Sequence, residues 1–220
     1  MAELNYLMKL PFWERLDESE RKLIQDNSII KKYSKGQLIY NSGNECSGLT
    51  MVLDGELRIS VMSEEGREIT LYRLHENELC ALSASCILSQ ITFETQTTIA
   101  EDCTVLLINT HTFEKLINQN IYVRCYMYEL LSERFSSVMW TMQMILFKGY
   151  DRRLASFLIS EYERTGLKTI QMTHEQIAQY TNSAREVVAR MLKRFAGDGL
   201  VEFKRGRIIL KDISSLKTMV

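Results

Sequence analysis

Histidine is scarce in this 220-residue chain: His75, His111 and His174 are the only three, and they lie far apart. Metal-binding cupin barrels need two closely spaced histidines and a carboxylate, so that chemistry has no ligand set here. G-x-S-x-G, the phosphate-binding P-loop and zinc-ligand spacing are also missing. No enzyme is expected. Cysteine is limited to five, an odd number, and the N-terminus MAELNYLMKLPFW has no basic segment followed by an apolar one. Reduced thiols are expected rather than a disulfide framework, in a soluble, cytoplasmic protein. Long apolar runs are lacking too. The nearest, Val138 to Phe147, contains Thr141 and Gln143 and is too short to span a bilayer, so no membrane partner is expected.

With 45% hydrophobic and 25% charged residues the composition is that of a globular protein, long enough for one large domain or two modest ones. Charge is unevenly placed. Residues 1–147 carry 13 Lys+Arg and 20 Asp+Glu, whereas residues 148–220 carry 14 and 8. A basic C-terminal third on an acidic body points to a polyanionic partner for the smaller part.

From about Gln37 to Ile108 short β-rich runs alternate with turn residues. Asp54-Gly55, Glu65-Gly66 and Glu101-Asp102 each predict a hairpin, and that spacing suggests an antiparallel sandwich or jelly roll. A short helical opening precedes it, with Leu16, Leu23 and Ile24 as apolar contacts. From Phe113 to Lys148 the period changes: Ile121, Tyr128, Phe135 and Met142 recur every seven residues, with Leu131, Val138 and Ile145 three further on from the last three. That stripe predicts one long helix with a dimer seam, weakened at its start by Arg124. Gly149 ends it, and Asp151 is positioned to cap the next helix.

MTHEQIAQYTNSAREVVARMLKRF carries two capping-box patterns, Thr173 with Gln176 and Ser183 with Glu186. Two helices about ten residues apart with a turn at Thr181-Asn182 have helix-turn-helix spacing. On a wheel of about 100° per residue, Arg185, Ala189, Lys193, Glu186, Arg190 and Arg194 share one face of the second helix. Val187, Val188, Met191, Leu192 and Phe195 share the other. Arginine can fork onto guanine O6 and N7, glutamate can accept from cytosine N4, and small Ala189 admits close approach. GLVEFKRGRIILKD then reads as a wing whose tip, Lys204, Arg205 and Arg207, can reach phosphates. The fold class is α+β: an antiparallel β domain, a long dimerisation helix and a winged helix-turn-helix.

SAREVVARMLKRF, with YDRRLASFLISEY and DGELRISVMSEEGREITLYRL, resembles the Crp/Fnr family of bacterial transcription regulators over nearly the whole chain. The resemblance implies a cyclic-nucleotide-binding-like β-roll over 1–118, a dimerisation helix over 119–148 and a winged helix-turn-helix over 149–220. It further implies a homodimer on near-palindromic double-stranded DNA, with Arg185, Glu186 and Arg190 matching the family's recognition triplet and half-sites of TGTGA or TTGA type. RNA polymerase is an implied partner. The effector segment of relatives corresponds to ELCALSASCILSQITFETQTTIA. The cyclic-AMP branch carries a Gly-Glu pair and an Arg-Ser pair there; Ala81-Leu82 brings no carboxylate and Thr95-Gln96 no arginine, so cyclic AMP is not expected.

The iron-sulfur branch has cluster cysteines near the N-terminus, and the first cysteine here is Cys46. Haem would need an axial ligand such as His75 with Cys80, and His75 reads as a surface turn residue. No cofactor is assigned. Cys80, Ala81, Leu82, Ser83, Cys86, Thr95, Gln96 and Tyr128 are the candidate lining of the effector pocket. For Cys80 and Cys86 three readings stay open: pocket or core packing, a redox switch, or metal binding. Two thiols alone do not complete a tetrahedral site. The effector is then an unidentified small molecule or a redox signal, and the competing function is a ligand-binding or redox-sensing dimeric scaffold without DNA readout.

Overall fold

A computed structural model describes residues 4–40, 48–80, 95–204 and 206–220. Cys46, Ala81, Leu82, Ser83, Cys86 and Arg205 lie outside the described residues. The chain forms two compact units. One comprises Met1–Arg67 and Leu71–Val138; the other comprises Glu68–Thr70 and Met139–Val220.

The first unit opens with α1 (Leu4–Leu7), a 3-10 turn (Trp13–Arg15) and α2 (Glu18–Asp26). Asp17 caps α2 reciprocally with Glu20, and Leu16 and Ile24 are buried while Leu23 is half-buried. Strands β1 (Ser28–Tyr33), β2 (Leu38–Tyr40), β3 (Leu49–Met62), β4 (Glu68–Leu74), β5 (Leu79–Cys80) and β6 (Gln96–Ile108) follow. The path β1-β6-β3-β4 is joined by β2 on β6 and β5 on β3.

Only one of the three expected hairpins is a turn. Between β3 and β4 the Ser63 and Gly66 amides donate to the Arg67 and Ser63 carbonyls. Asp54-Gly55 instead lies inside continuous β3, and Glu101-Asp102 inside continuous β6. The two stretches meet across the sheet: Glu56 pairs with Glu101 and Asp54 with Thr104, and the register shifts at Val52/Asp54, Asp54/Glu56 and Glu56/Leu57. Gly55 has φ +87°, and a Cβ there would strike the Asp102 carbonyl oxygen. A left-handed glycine in a strand marks a bulge as readily as a turn.

The expected single helix is two: α3 (Thr110–Gln119) and α4 (Ile121–Phe147). Asn120 separates them with extended backbone, φ −108° and ψ 111°. Its side-chain oxygen accepts from the Tyr122 and Val123 amides, and its amide group donates to the Arg15 carbonyl and Glu20. The side chain thus starts the new helix while tying it to α2, an effect that apolar periodicity does not register.

In the second unit come α5 (Tyr150–Thr165), β7 (Thr169–Ile170), α6 (His174–Tyr180), α7 (Arg185–Gly197), β8 (Val201–Lys204), β9 (Arg207–Leu210) and α8 (Ile213–Thr218). Gly149 is the N-cap of α5; Asp151 sits inside its first turn, accepting from the Arg152 amide. The strands form a sheet in the order β7-β9-β8. Leu154, Leu158, Ile177, Val188, Leu192, Phe195, Ile208 and Leu216 fill its core.

Candidate functional site

The candidate nucleic-acid surface is built on α6, the turn and α7. Thr173 caps α6: its hydroxyl accepts from the Gln176 amide while Gln176 accepts from the Thr173 amide. Thr181 closes the helix by donating to the Ile177 carbonyl at 2.6 Å and also meets the Tyr150 hydroxyl. Asn182 takes φ +52°, a left-handed conformation that asparagine tolerates and that swings the chain into α7.

The second capping box does not form. The N-cap of α7 is Ala184, with no side-chain cap bond, and the Ser183 amide donates to the Ala178 carbonyl. Serine at 183 lies one residue too early to cap a helix that begins at Arg185. The first turn of α7 therefore keeps backbone N–H groups without a side-chain acceptor, at the end where the helix dipole favours anions.

α7 has two distinct faces. Val188, Leu192 and Phe195 are buried. Arg185, Glu186, Arg190, Lys193 and Arg194 are exposed, with half-buried Ala189 between them. Arg194 leans toward Asp198 at 3.7 Å. At the wing, Lys204 and Lys211 both reach Glu202, at 3.2 and 2.9 Å, and these partners, Lys211 foremost, hold the Glu202 carboxyl below its ordinary range. Lys204 and Arg207 are exposed and face each other across the β8–β9 pair.

Of the described effector-pocket candidates, Cys80 is fully buried on β5 opposite Thr50, Thr95 is buried, and Gln96 is half-buried at the start of β6. Cys80 packs with Val52, Leu57, Ile99 and Cys103 in the inner β cluster. Burial, and then the nearby Asp54 charge, push the Cys103 thiol up to about 12, which keeps it protonated and unreactive. Tyr128 stands apart from that interior, 62% exposed on α4.

Two features of this unit escaped the sequence reading. Arg134 lies over the Tyr72 ring at 5.1 Å and pairs with Glu78 at 3.3 Å, so a cation from α4 reaches β4 and the turn after it. The Tyr72 hydroxyl and Arg134 Nε are buried without a hydrogen-bond partner among the described residues. His75, read as a surface turn residue, instead has Nδ1 3.4 Å from the buried Glu56 carboxylate, which Arg73 also approaches at 3.3 Å. Arg134 had a legible signal: it continues the stripe Val123, Met127, Leu130, spaced 4, 3 and 4 residues apart.

That stripe is the inward face of α4: Val123, Met127 and Leu130 are buried. On the opposite side Ile121, Tyr128, Phe135 and Met142 are 52%, 62%, 67% and 46% exposed, and Met139 and Leu146 extend the same face. The expected partners Leu131 and Val138 pack against their own unit's core instead. The outward apolar stripe therefore runs along first and fifth heptad positions rather than first and fourth.

Among the described residues no helix is long and apolar enough to cross a membrane, and no group of three or more His, Cys, Asp or Glu is placed to hold a metal.

An antiparallel β unit, a long connecting helix and a helix-turn-helix with a two-stranded wing define a two-part winged-helix regulator. Residues 30–120 match the cyclic nucleotide-binding domain and residues 152–219 the Crp-like helix-turn-helix domain. A solved structure from Eubacterium rectale, assigned to the Crp/Fnr family of transcriptional regulators, is 40% identical, covers 96% of this chain and 98% of its own, and superposes with a TM-score of 0.88. The anaerobic regulatory protein of Bacillus subtilis is 23% identical over 94% of this chain and 90% of its own length. The cyclic AMP receptor protein of Thermus thermophilus is 24% identical over 94% and 95%. The chain belongs to the Crp/Fnr family, whose members are transcription regulators rather than enzymes.

Proposed function

We propose that two copies of this chain join along the exposed stripe of α4 and bind near-palindromic double-stranded DNA, each setting α7 in a major groove. The observation that carries this reading is the division of α7 into a buried apolar face and an exposed face of Arg185, Glu186, Ala189, Arg190 and Lys193. Arginine near the N-terminal end of a recognition helix suits guanine, and wing residues Lys204 and Arg207 suit phosphate. The basic charge of residues 148–220 supports the same partner. DNA as the ligand makes the cytoplasm the compartment and RNA polymerase the expected partner at a promoter.

The β unit responds to a small molecule or redox signal other than cyclic AMP. Ala81-Leu82 and Thr95-Gln96 bring neither carboxylate nor guanidinium, and Arg134 is already engaged by Glu78. A buried cyclic phosphate lacking its charge-assisted partner would lose about 1.5–3 kcal/mol. The buried Tyr72 hydroxyl supports a polar ligand instead. Native mass spectrometry with an absorbance spectrum of fresh protein tests both the dimer mass and any retained ligand.

The DNA reading is tested by selecting duplexes from a randomised pool and titrating them against rising salt. A steep loss of affinity with salt is expected. Arg185→Ala should cost about 1–3 kcal/mol at its matching base and relax selection there. Lys204→Ala should weaken all sequences alike and reduce the salt slope by about 1. Unchanged selection by Arg185→Ala would remove α7 as the base reader.

A further inference from the structure

The residue that opens α5 reaches the turn between α6 and α7. Tyr150 immediately follows Gly149, the N-cap of α5, and is half-buried against the core of the winged-helix unit. Arg153, three residues further along α5, lies over its ring at 5.4 Å. The Tyr150 hydroxyl is 3.1 Å from Thr181 Oγ1, and the Ser183 side chain is its second hydrogen-bond partner. One phenol thus holds the residues on both sides of left-handed Asn182.

The donors and acceptors fix the direction of these bonds. A threonine hydroxyl has one proton to donate, and that of Thr181 goes to the Ile177 carbonyl at 2.6 Å. Thr181 Oγ1 therefore accepts, and the Tyr150 phenol donates. With its own proton committed, the Tyr150 oxygen accepts from the Ser183 hydroxyl. The three hydroxyls form a relay from Ser183 through Tyr150 and Thr181 to the Ile177 carbonyl, and bonds in such a chain polarise one another. Thr181 is only 6% exposed, so water does not readily replace a lost partner there.

This relay lies where α7 lacks support of its own. Ala184 supplies no side-chain cap, and Ser183, one residue too early to cap, gives its hydroxyl to Tyr150 instead. Arg185 and Glu186 follow directly, so whatever fixes residues 181–183 also fixes where these two side chains start. The first core anchor of α7, buried Val188, comes three residues after Arg185. Hydrogen bonds to base edges need that start held closely, whereas phosphate contacts carry no sequence information.

We propose that Tyr150 is a positioning residue for sequence discrimination: its hydroxyl, donating to Thr181 and accepting from Ser183, holds the turn that aims Arg185 and Glu186 at base edges. It acts through the turn, without a contact to DNA. This rests on the DNA-binding reading given above. Tyr150→Phe isolates the role, because the ring, its packing and the Arg153 contact stay while the relay is lost.

The test uses the full-length protein and two labelled duplexes, one selected from a randomised pool and one of scrambled sequence, titrated by anisotropy at fixed salt. Tyr150→Phe should weaken binding to the selected duplex about 3–10-fold, the span of one lost hydrogen bond, and leave the scrambled duplex unchanged. Combining Tyr150→Phe with Thr181→Val should cost less than the product of the two single losses, since both remove the same bond. A melting curve of each variant verifies the fold. A hydroxyl with a merely structural role would lower the melting point and leave the ratio of the two affinities as in wild type. That result, equal losses on both duplexes, or losses that simply multiply in the double variant would overturn the assignment while leaving the DNA reading intact. A wild type that binds neither duplex, or both alike, overturns the DNA reading and this assignment with it.

Discussion

Replacing Gly55 with alanine separates a bulge from a turn. Gly55 and Gly66 have nearly the same backbone angle, φ +87° and +79°, and each follows an acidic residue. Around Gly66 there is nothing within 4 Å of an added Cβ. At Gly55 the same atom would overlap the Asp102 carbonyl oxygen and lie 2.8 Å from Cys103 Cα. Both substitutions carry the cost of an alanine in the left-handed region, about 1–2 kcal/mol. Only Gly55→Ala adds overpacking against backbone, which cannot rotate aside and must shift β6, typically another 1–3 kcal/mol or so. Gly55→Ala should therefore be less stable than Gly66→Ala by about 1–3 kcal/mol. That difference corresponds to a melting point lower by several degrees, at about 2–4 °C per kcal/mol for a chain of this size. Calorimetry of the two variants side by side reads the difference, with the urea midpoint at unchanged slope as a second measure. Equal losses would mean that no close approach exists at Gly55 and that Asp54-Gly55 is an open turn after all.

Asn120→Ala removes two acceptor contacts to the first turn of α4 and two donor contacts to Arg15 and Glu20. A loss of about 1–3 kcal/mol is expected, with faster amide exchange at Tyr122 and Val123. Cys103, with its thiol pushed up to about 12, should resist an alkylating reagent near pH 8 in the native protein and react readily once the chain is unfolded. Unfolding returns the Cys103 pKa to its ordinary value of 9.0, so native stability should fall as pH rises from there toward 12, less steeply in Cys103→Ala.

The two faces of α7 were readable because a helix's periodicity places both. A core face at Val188, Leu192 and Phe195 turns Glu186 and Arg190 to the opposite side of α7. The same holds for the Thr173–Gln176 box, where donor and acceptor lie three residues apart on the chain itself. At Ser183 that local logic failed: the residue before α7 is Ala184, and the turn through left-handed Asn182 delays the helix by one residue. Local pattern also misread α4. Heptad spacing locates a stripe but cannot say how much of it the chain's own β unit will cover, and here Leu131 and Val138 are claimed by that unit.

The sequence alone determined the antiparallel β unit, the two faces of α7 and the wing, because each rests on residues within a few positions of one another. Tertiary structure decided what depends on neighbours distant along the chain. Asp54-Gly55 is a bulge because β6 lies across it with its own acidic pair, not because of any residue beside it. Asn120 breaks a helix because Arg15 and Glu20 wait for its amide. Arg134 leaves the list of solvated charges because Tyr72 and Glu78 meet it there. Short-range periodicity is set by backbone geometry that every chain shares, whereas these pairings exist only after the chain has closed on itself.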